Sequence, residues 1–221
     1  MAVVKTCETL RKKICERGAE YLGCSPDDVE FDGEKVVNLK TKEEITRKEI
    51  GNKVMCSSNA PLSATEAFSS PVSPPPFMVG IAEVEIDKET GVVEPIDYAA
   101  VVDCGTVVNP NLARVQTEGG IAQGIGMALY EDIVYNDKGK NYSNSFMQYK
   151  IPSRLDVGTI RVDFESSYEP TGPFGAKSIG EIVINTPAPA IANAVSNAVG
   201  VRIRELPITA EKVYWGMQEK K

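Results

Sequence analysis

Thr171 to Gly200 reads TGPFGAKSIGEIVINTPAPAIANAVSNAVG, a glycine-rich loop that runs into a cleanly punctuated helix. Gly172, Gly175 and Gly180 allow turns and close backbone approach that a side chain would block. Asn185 or Thr186 can cap a helix whose first turn takes Pro187 and Pro189. Ile191, Ala194, Val195 and Ala198 then fall on one helical face, and Gly200 supplies the stop. Between loop and helix stands an isolated carboxylate, Glu181, with Lys177 four residues before it. A carboxylate on a loop held against a buried helix is well placed for a general base. A lone glutamate is weak evidence, however, and a surface charge or a partner for Lys177 is the ordinary alternative.

Upstream, the hydrophobic period from Phe77 is two. Ala82, Val84 and Ile86 alternate with Glu83 and Glu85, the pattern of a half-buried strand. Asp87 to Gly91 makes a turn, Val92 to Val102 returns as a longer strand, and Pro110 opens a helix after VDCGTVVNP. Long paired strands at 79–86 and 92–102 with acidic outward faces predict an antiparallel or mixed sheet, hence an α+β fold of two unequal lobes. Residues 113–132, ARVQTEGGIAQGIGMALYED, have helical spacing yet hold Gly119, Gly120, Gly124 and Gly126. Glycine costs ~1 kcal/mol per helical position relative to alanine, so close approach must repay it, from another backbone or from a ligand. The stretch is neither a P-loop nor a Rossmann fingerprint, because no Lys-Ser/Thr follows Gly124 and GxGxxG is absent.

The remaining pieces are plainer. Val3, Cys7, Leu10 and Ile14 define an amphipathic helix to about Gly23, and Asp32-Gly33 marks a two-residue hairpin. Thr46 and Glu49 have capping-box spacing for a short helix through Ile50 and Val54. Residues 57–76 are polar and Pro-rich, an extended connection or a covering segment. The expected organisation is therefore a helix-hairpin-helix lobe over 1–56, a connection over 57–76 and a larger lobe over 77–221. Within the latter, Asp137–Lys140 is a turn, Ser153, Arg154 and Asp156 a solvated turn, and Thr159–Phe164 a strand. Val201–Arg204 alternates like an edge strand, and a short helix with a charged tail closes the chain.

Composition narrows the function classes. The 221 residues carry 24 basic and 31 acidic side chains, a net charge of −7, with no basic run. Nucleic acid or an anionic membrane is an unfavourable partner for such a chain, and no apolar run approaches the ~20 residues of a membrane span. The five cysteines, an odd number without a CxxC pair, predict small buried thiols in a reducing compartment. With no signal-peptide pattern at Met1, the expected location is the cytoplasm. Histidine is absent, which excludes Ser-His-Asp and Cys-His catalysis within this chain.

GPFGAKSIGE, the Pro/Ala-rich helix after it and GVRIRELPITAEKV together resemble the C-terminal end of the molybdenum-binding subunit of the xanthine dehydrogenase and aldehyde oxidoreductase family. MVGIAEVEIDKETGVVEP, VVDCGTVVNP and FMQYKIPSRLDVGTIRVDFES extend the similarity over most of the chain. The resemblance implies a molybdopterin cofactor, with or without an attached nucleotide, and no protein ligand to the metal. It implies hydroxylation of an aldehyde or an N-heterocycle of purine or nicotinate type, with oxygen drawn from water and hydride passing to molybdenum. Glu181 is then the catalytic base, and the Gln of GGxxQGxG, Gln123, bonds the cofactor beside Gly120, Ile179 and Gly180. Implied partners are a further portion of the molybdenum subunit and subunits carrying iron–sulfur clusters and FAD. Because family subunits are several times longer, the chain is expected to be a small separate subunit or a C-terminal portion. It would hold about half a site and be inactive alone. The alternative is a non-catalytic assembly domain that keeps the family fold.

Overall fold

In a computed structural model of the chain, helix α1 runs from Ala2 to Leu22 and stops where Gly23 turns left-handed at φ 65°. Residues 1–57 and 61–219 are described, and they divide into two units, Met1–Pro71 and Val72–Lys221. Residues 58–60 of the expected connection and the last two of the charged tail lie outside the described residues.

In the first unit, β1 (Val29–Phe31), β2 (Lys35–Asn38) and β3 (Glu44–Thr46) form an antiparallel sheet in that order. The first hairpin is present, but its turn centres on Gly33-Glu34: Asp32 Oδ1 accepts from the N–H groups of Glu34 and Lys35 at 2.8 and 2.9 Å. The third strand is an addition to the expected helix-hairpin-helix. Glu44, Ile45 and Thr46 are too few to show a period, and β3 is set by the tight turn after Asn38, whose buried side chain accepts from the N–H groups of Lys40 and Thr41. Thr46 then caps α2 (Arg47–Met55) through the reciprocal bonds with Glu49 that the spacing predicts. The core joins Val36, Ile45, Ile50 and Val54 to Ile14, Tyr21 and Leu22 of α1. Helix α1 therefore buries its C-terminal half; Val3 and Cys7 lie exposed. Gly18 lets it approach, since a Cβ there would sit 2.8 Å from Val36. The early part of the Pro-rich stretch lies along α1, with Leu62 against this core and Lys13 Nζ donating to Ser63 O at 2.7 Å.

The second unit is built on β4 (Phe77–Ile86), β5 (Val93–Asp103) and β6 (Thr159–Glu165) in the order β4-β5-β6. The first pair is antiparallel and the second parallel, so the sheet is mixed, as the alternation predicts. Helices α3 (Pro110–Leu129) and α5 (Pro187–Val199) join the core of Tyr98, Ile121, Ile125, Ile191 and Val195, to which Val213 of α6 (Ala210–Glu219) is added. Asn109 caps α3 through Leu112 N at 3.0 Å. Gly80 in β4 leaves room for the buried Tyr98 hydroxyl, which donates to Thr186 Oγ1 at 2.9 Å.

Four expectations are corrected here. The outward face of β4 is acidic only toward its end; Phe77, Val79 and Ile81 are 61–67% exposed on that face. Residues 201–204 form no strand, because Val201 is drawn against Gly216 of α6 and Ile203 against the core. The long helix is preceded by a one-turn helix α4 (Ile182–Asn185), and neither Asn185 nor Thr186 caps α5 with its side chain. Thr186 Oγ1 is instead engaged by Tyr98, and Ala198 is exposed, the buried face of α5 being Ile191 and Val195. Finally, the cysteines are all free, but Cys104 alone among them is buried; Cys7 and Cys56 are exposed.

Candidate functional site

Asp103, the last residue of β5, ties three loops together. Its Oδ1 accepts from Gly105 N at 2.9 Å and Ser167 Oγ at 2.6 Å, and Lys177 Nζ lies 2.6 Å from Oδ2. Both ion-pair side chains are largely withdrawn from water, 11% exposed for Lys177 and 19% for Asp103. That burial acts to raise the pKa of Asp103, but the hydrogen bonds from Lys177, Ser167 and Gly105 outweigh it and hold the carboxyl at about 2. The backbone completes the join: Thr106 N donates to Gly175 O at 2.8 Å and Lys177 N to Cys104 O at 2.7 Å. Gly105, at φ +71°, makes this approach possible, since a Cβ would lie 2.4 Å from Gly175 O. Lys177 also stands 5.6 Å from the Phe77 ring centroid, a cation–π contact.

Beyond this knot the loop passes through Ser178, Ile179, Gly180 and Glu181 to α4, which packs on α3 where the glycines are. A Cβ on Gly120 would lie 2.2 Å from Val183 Cγ2, and one on Gly124 2.7 Å from Pro187 Cγ. Close helix packing therefore accounts for Gly120 and Gly124. Gly119 differs: it is exposed, and a Cβ there would meet nothing within 4 Å. Gly180 is equally open.

Glu181 stands at the start of α4 with its side chain exposed. Among the described residues its carboxylate has no hydrogen bond or ion pair, and Lys177 is committed to Asp103. No protein acceptor takes the N–H groups of Ser178, Ile179, Gly180 or Glu181 among those residues. Gln123 is exposed on α3. So is Gln116, seven residues earlier on the same stripe and about 10 Å away along the axis at 1.5 Å per residue. Gln116 Nε2 donates to Gly180 O at 3.3 Å. The fold thus brings Gly180 of the loop onto Gln116 of α3 and packs Val183 on Gly120; among the described residues Gln123 makes no hydrogen bond to this loop. Gln116 carries no sequence signal beyond its seven-residue spacing from Gln123. The grooves of about 540 and 620 Å³ in this unit, along β4 and α5 and beside Val92–Ile96, do not include Glu181. The candidate site is an open face.

This fold is that of the molybdenum-binding subunits of molybdenum hydroxylases. The family model for the molybdopterin cofactor-binding domain matches residues 1–158, and the chain belongs to that family, within the molybdenum-binding subunits of the xanthine dehydrogenase and aldehyde oxidoreductase type. It is 35% identical over 217 residues to the probable hypoxanthine oxidase XdhD of Escherichia coli K12, covering 96% of this chain and 22% of that protein. It is 30% identical over 222 residues to the 6-hydroxypseudooxynicotine dehydrogenase complex subunit gamma of Paenarthrobacter nicotinovorans, covering 96% and 28%. Among solved structures, quinoline 2-oxidoreductase from Pseudomonas putida 86 superposes with a TM-score of 0.71 at 28% identity, over 96% of this chain and 28% of that one. The chain thus spans about a quarter of the length of these relatives. Among the described residues, no group of histidine, cysteine or acidic side chains could hold a metal ion, and no helix is long and apolar enough to cross a membrane.

Proposed function

We propose that Glu181 is the proton-accepting carboxylate of a molybdopterin-dependent oxidoreductase that hydroxylates an aldehyde or an N-heterocycle with oxygen from water. The single observation that carries this reading is the uncommitted state of Glu181 amid engaged neighbours. Asp103 is held by Lys177, Glu169 by Thr171 and Glu118 by Arg114, whereas among the described residues no partner holds the Glu181 carboxylate.

The residues present fit the cofactor. A pterin edge needs in-plane donors and acceptors, which the Gln123 amide and the backbone N–H groups of Ile179 and Gly180, without an acceptor among the described residues, would supply. Gly119 and Gly180 leave the space above them clear. Gly120 contributes indirectly, by setting α4 against α3. When bound, the molybdenum group supplies a two-electron acceptor and Lewis-acid chemistry. Glu181 would take the proton of the water-derived oxygen at a carboxylate oxygen as that oxygen bonds to the electron-poor carbon and the carbon's hydrogen leaves with its electron pair to that acceptor. The rest of the molybdenum-binding polypeptide, and partners bearing iron–sulfur clusters and a flavin, complete the system.

In the assembled enzyme, Glu181→Gln keeps shape and hydrogen-bonding capacity but cannot accept the proton. Turnover per bound molybdenum should fall by ~10²–10⁴-fold, the usual worth of a general base, with metal content retained. The exposed Phe77, Val79 and Ile81 favour a second reading, a domain whose work is assembly; near-normal activity of Glu181→Gln per molybdenum would decide for it.

A further inference from the structure

Strand β4 is a long edge without the usual guards. Among the described residues β5 alone pairs with it, so on its far side every second residue turns its N–H and C=O away from the sheet. Edge strands are ordinarily blunted by short length, charge, proline or a bulge. The other edges follow that rule: β1 and β3 have three residues each, and β6 exposes Arg161, Asp163 and Glu165. β4 has ten residues. From Phe77 to Ala82 it holds no charge and no proline, and its bulge comes later, between Glu83 and Val84. Phe77, Val79 and Ile81 stand exposed on its outward side. Beside this stretch runs the groove of about 540 Å³, lined by Gly80, Ile81 and Ala82 from the strand, Asn193 and Asn197 from α5, and Arg202 after it. Asn193, Asn197 and Arg202 are exposed and have no hydrogen bond or ion pair among the described residues.

We infer that the Phe77–Ala82 edge takes an extended segment of the remaining molybdenum-binding polypeptide as a further strand of this sheet. The inference rests on the proposal that such a polypeptide completes the system, and not on the role of Glu181. This chain matches 22% and 28% of the length of two relatives, so their remainder is a ready source of a strand. The two sides of the edge set the chemistry of the segment. Its outward side chains continue the apolar row of Phe77, Val79 and Ile81, as cross-strand neighbours do. Its alternate side chains fall over the groove, where the two amides call for polar groups and the uncommitted Arg202 guanidinium for a carboxylate. A second copy of β4 is a poorer occupant. Its own alternate positions, Met78, Gly80, Ala82 and Val84, bring no polar side chain to Asn193 or Arg202.

The test compares the assembled enzyme with the 221-residue chain alone, by amide hydrogen exchange read by mass spectrometry. Peptides covering 77–82 should exchange at least about ten-fold more slowly in the assembly, because the outward amides gain acceptors there. Ile81→Lys puts a charge on the edge at an exposed position. The chain alone should keep its thermal midpoint, while in the assembly exchange at 77–82 should return toward the rate of the chain alone. Arg202→Glu should quicken it in part, and less so as salt is raised. Benzoylphenylalanine placed at Val79 and irradiated in the assembly should crosslink to the remaining molybdenum-binding polypeptide. Equal exchange at 77–82 in the two preparations overturns the inference. So does protection that Ile81→Lys leaves intact, or a crosslink to a second copy of this chain or to an iron–sulfur or flavin subunit. An assembly that holds no further molybdenum-binding polypeptide overturns both this inference and the proposal beneath it. Failure of the base reading is separate: it shows as activity retained in Glu181→Gln and moves neither exchange nor crosslink.

Discussion

Lys177 Nζ lies 2.6 Å from Asp103 Oδ2, and this pair decides the state of Glu181. Four residues before the glutamate, Lys177 is the sequence's natural candidate for neutralising it. The fold turns it the other way, onto the end of β5, so the same lysine anchors the loop and leaves the Glu181 carboxylate uncommitted.

Lys177→Met should therefore loosen the loop and destabilise the chain. It leaves Asp103 withdrawn from water without its main partner, at a cost of ~1–3 kcal/mol, below the 3–5 kcal/mol typical of fully buried pairs. A lower urea midpoint at unchanged slope measures it. A midpoint equal to the parent's would show that the pair contributes nothing.

The same pair sets an acid limit. Asp103 titrates at about 2 in the folded chain, against an ordinary value of 3.8. A depressed carboxylate pKa adds stability that is complete above the unfolded value and lost as pH falls through the folded one. The window is therefore from about 4 down to about 2, and the contribution is at most about 2 kcal/mol. Unfolding series at pH 5, 3 and 2 should show this loss in the parent and a smaller one in Lys177→Met.

Two adjacent glycines of α3 should answer oppositely to alanine. Gly120→Ala places a Cβ 2.2 Å from Val183 Cγ2 and should cost ~1–3 kcal/mol by overpacking. Gly119→Ala meets nothing within 4 Å and should stabilise by up to ~1 kcal/mol through helix propensity. Thermal midpoints of the two variants give the comparison directly, and equal shifts would contradict the α3–α4 contact.

Gln123→Ala in the assembled enzyme removes one proposed cofactor hydrogen bond, worth about 1–3 kcal/mol. Molybdenum and pterin analysis should show occupancy falling more than the rate per bound metal, the reverse of Glu181→Gln.

The 221-residue chain expressed alone should bind no molybdenum and oxidise nothing. Its candidate site is an open face, and an anionic pterin needs all its hydrogen bonds satisfied. Stoichiometric molybdenum in that preparation would refute the expectation.

What the sequence determined by itself is whatever depends on near neighbours. The period of two from Phe77 to Ile86, the Thr46–Glu49 capping box, Pro110 at the start of α3 and the stop at Gly200 each act within a turn or a strand, and each element stands where its pattern places it. The loop motif ending in Glu181 pointed to the proposed site on the same terms. Tertiary structure decided whatever needs a partner distant in the chain. Val201–Arg204 alternates, but no strand lies beside it among the described residues; Val201 packs at Gly216 of α6 and Ile203 on the core. Thr186 has capping chemistry, but Tyr98, 88 residues earlier, engages its hydroxyl. Gly120 and Gly124 read alike as packing or ligand positions until α4 and Pro187 are seen against them. Above all, Lys177 could have paired with Glu181 or with any other carboxylate; only the return of the chain past β5, 74 residues away, selects Asp103. Local pattern sets which backbone hydrogen bonds form first, but the pairing of side chains is a competition among all groups the fold brings within reach.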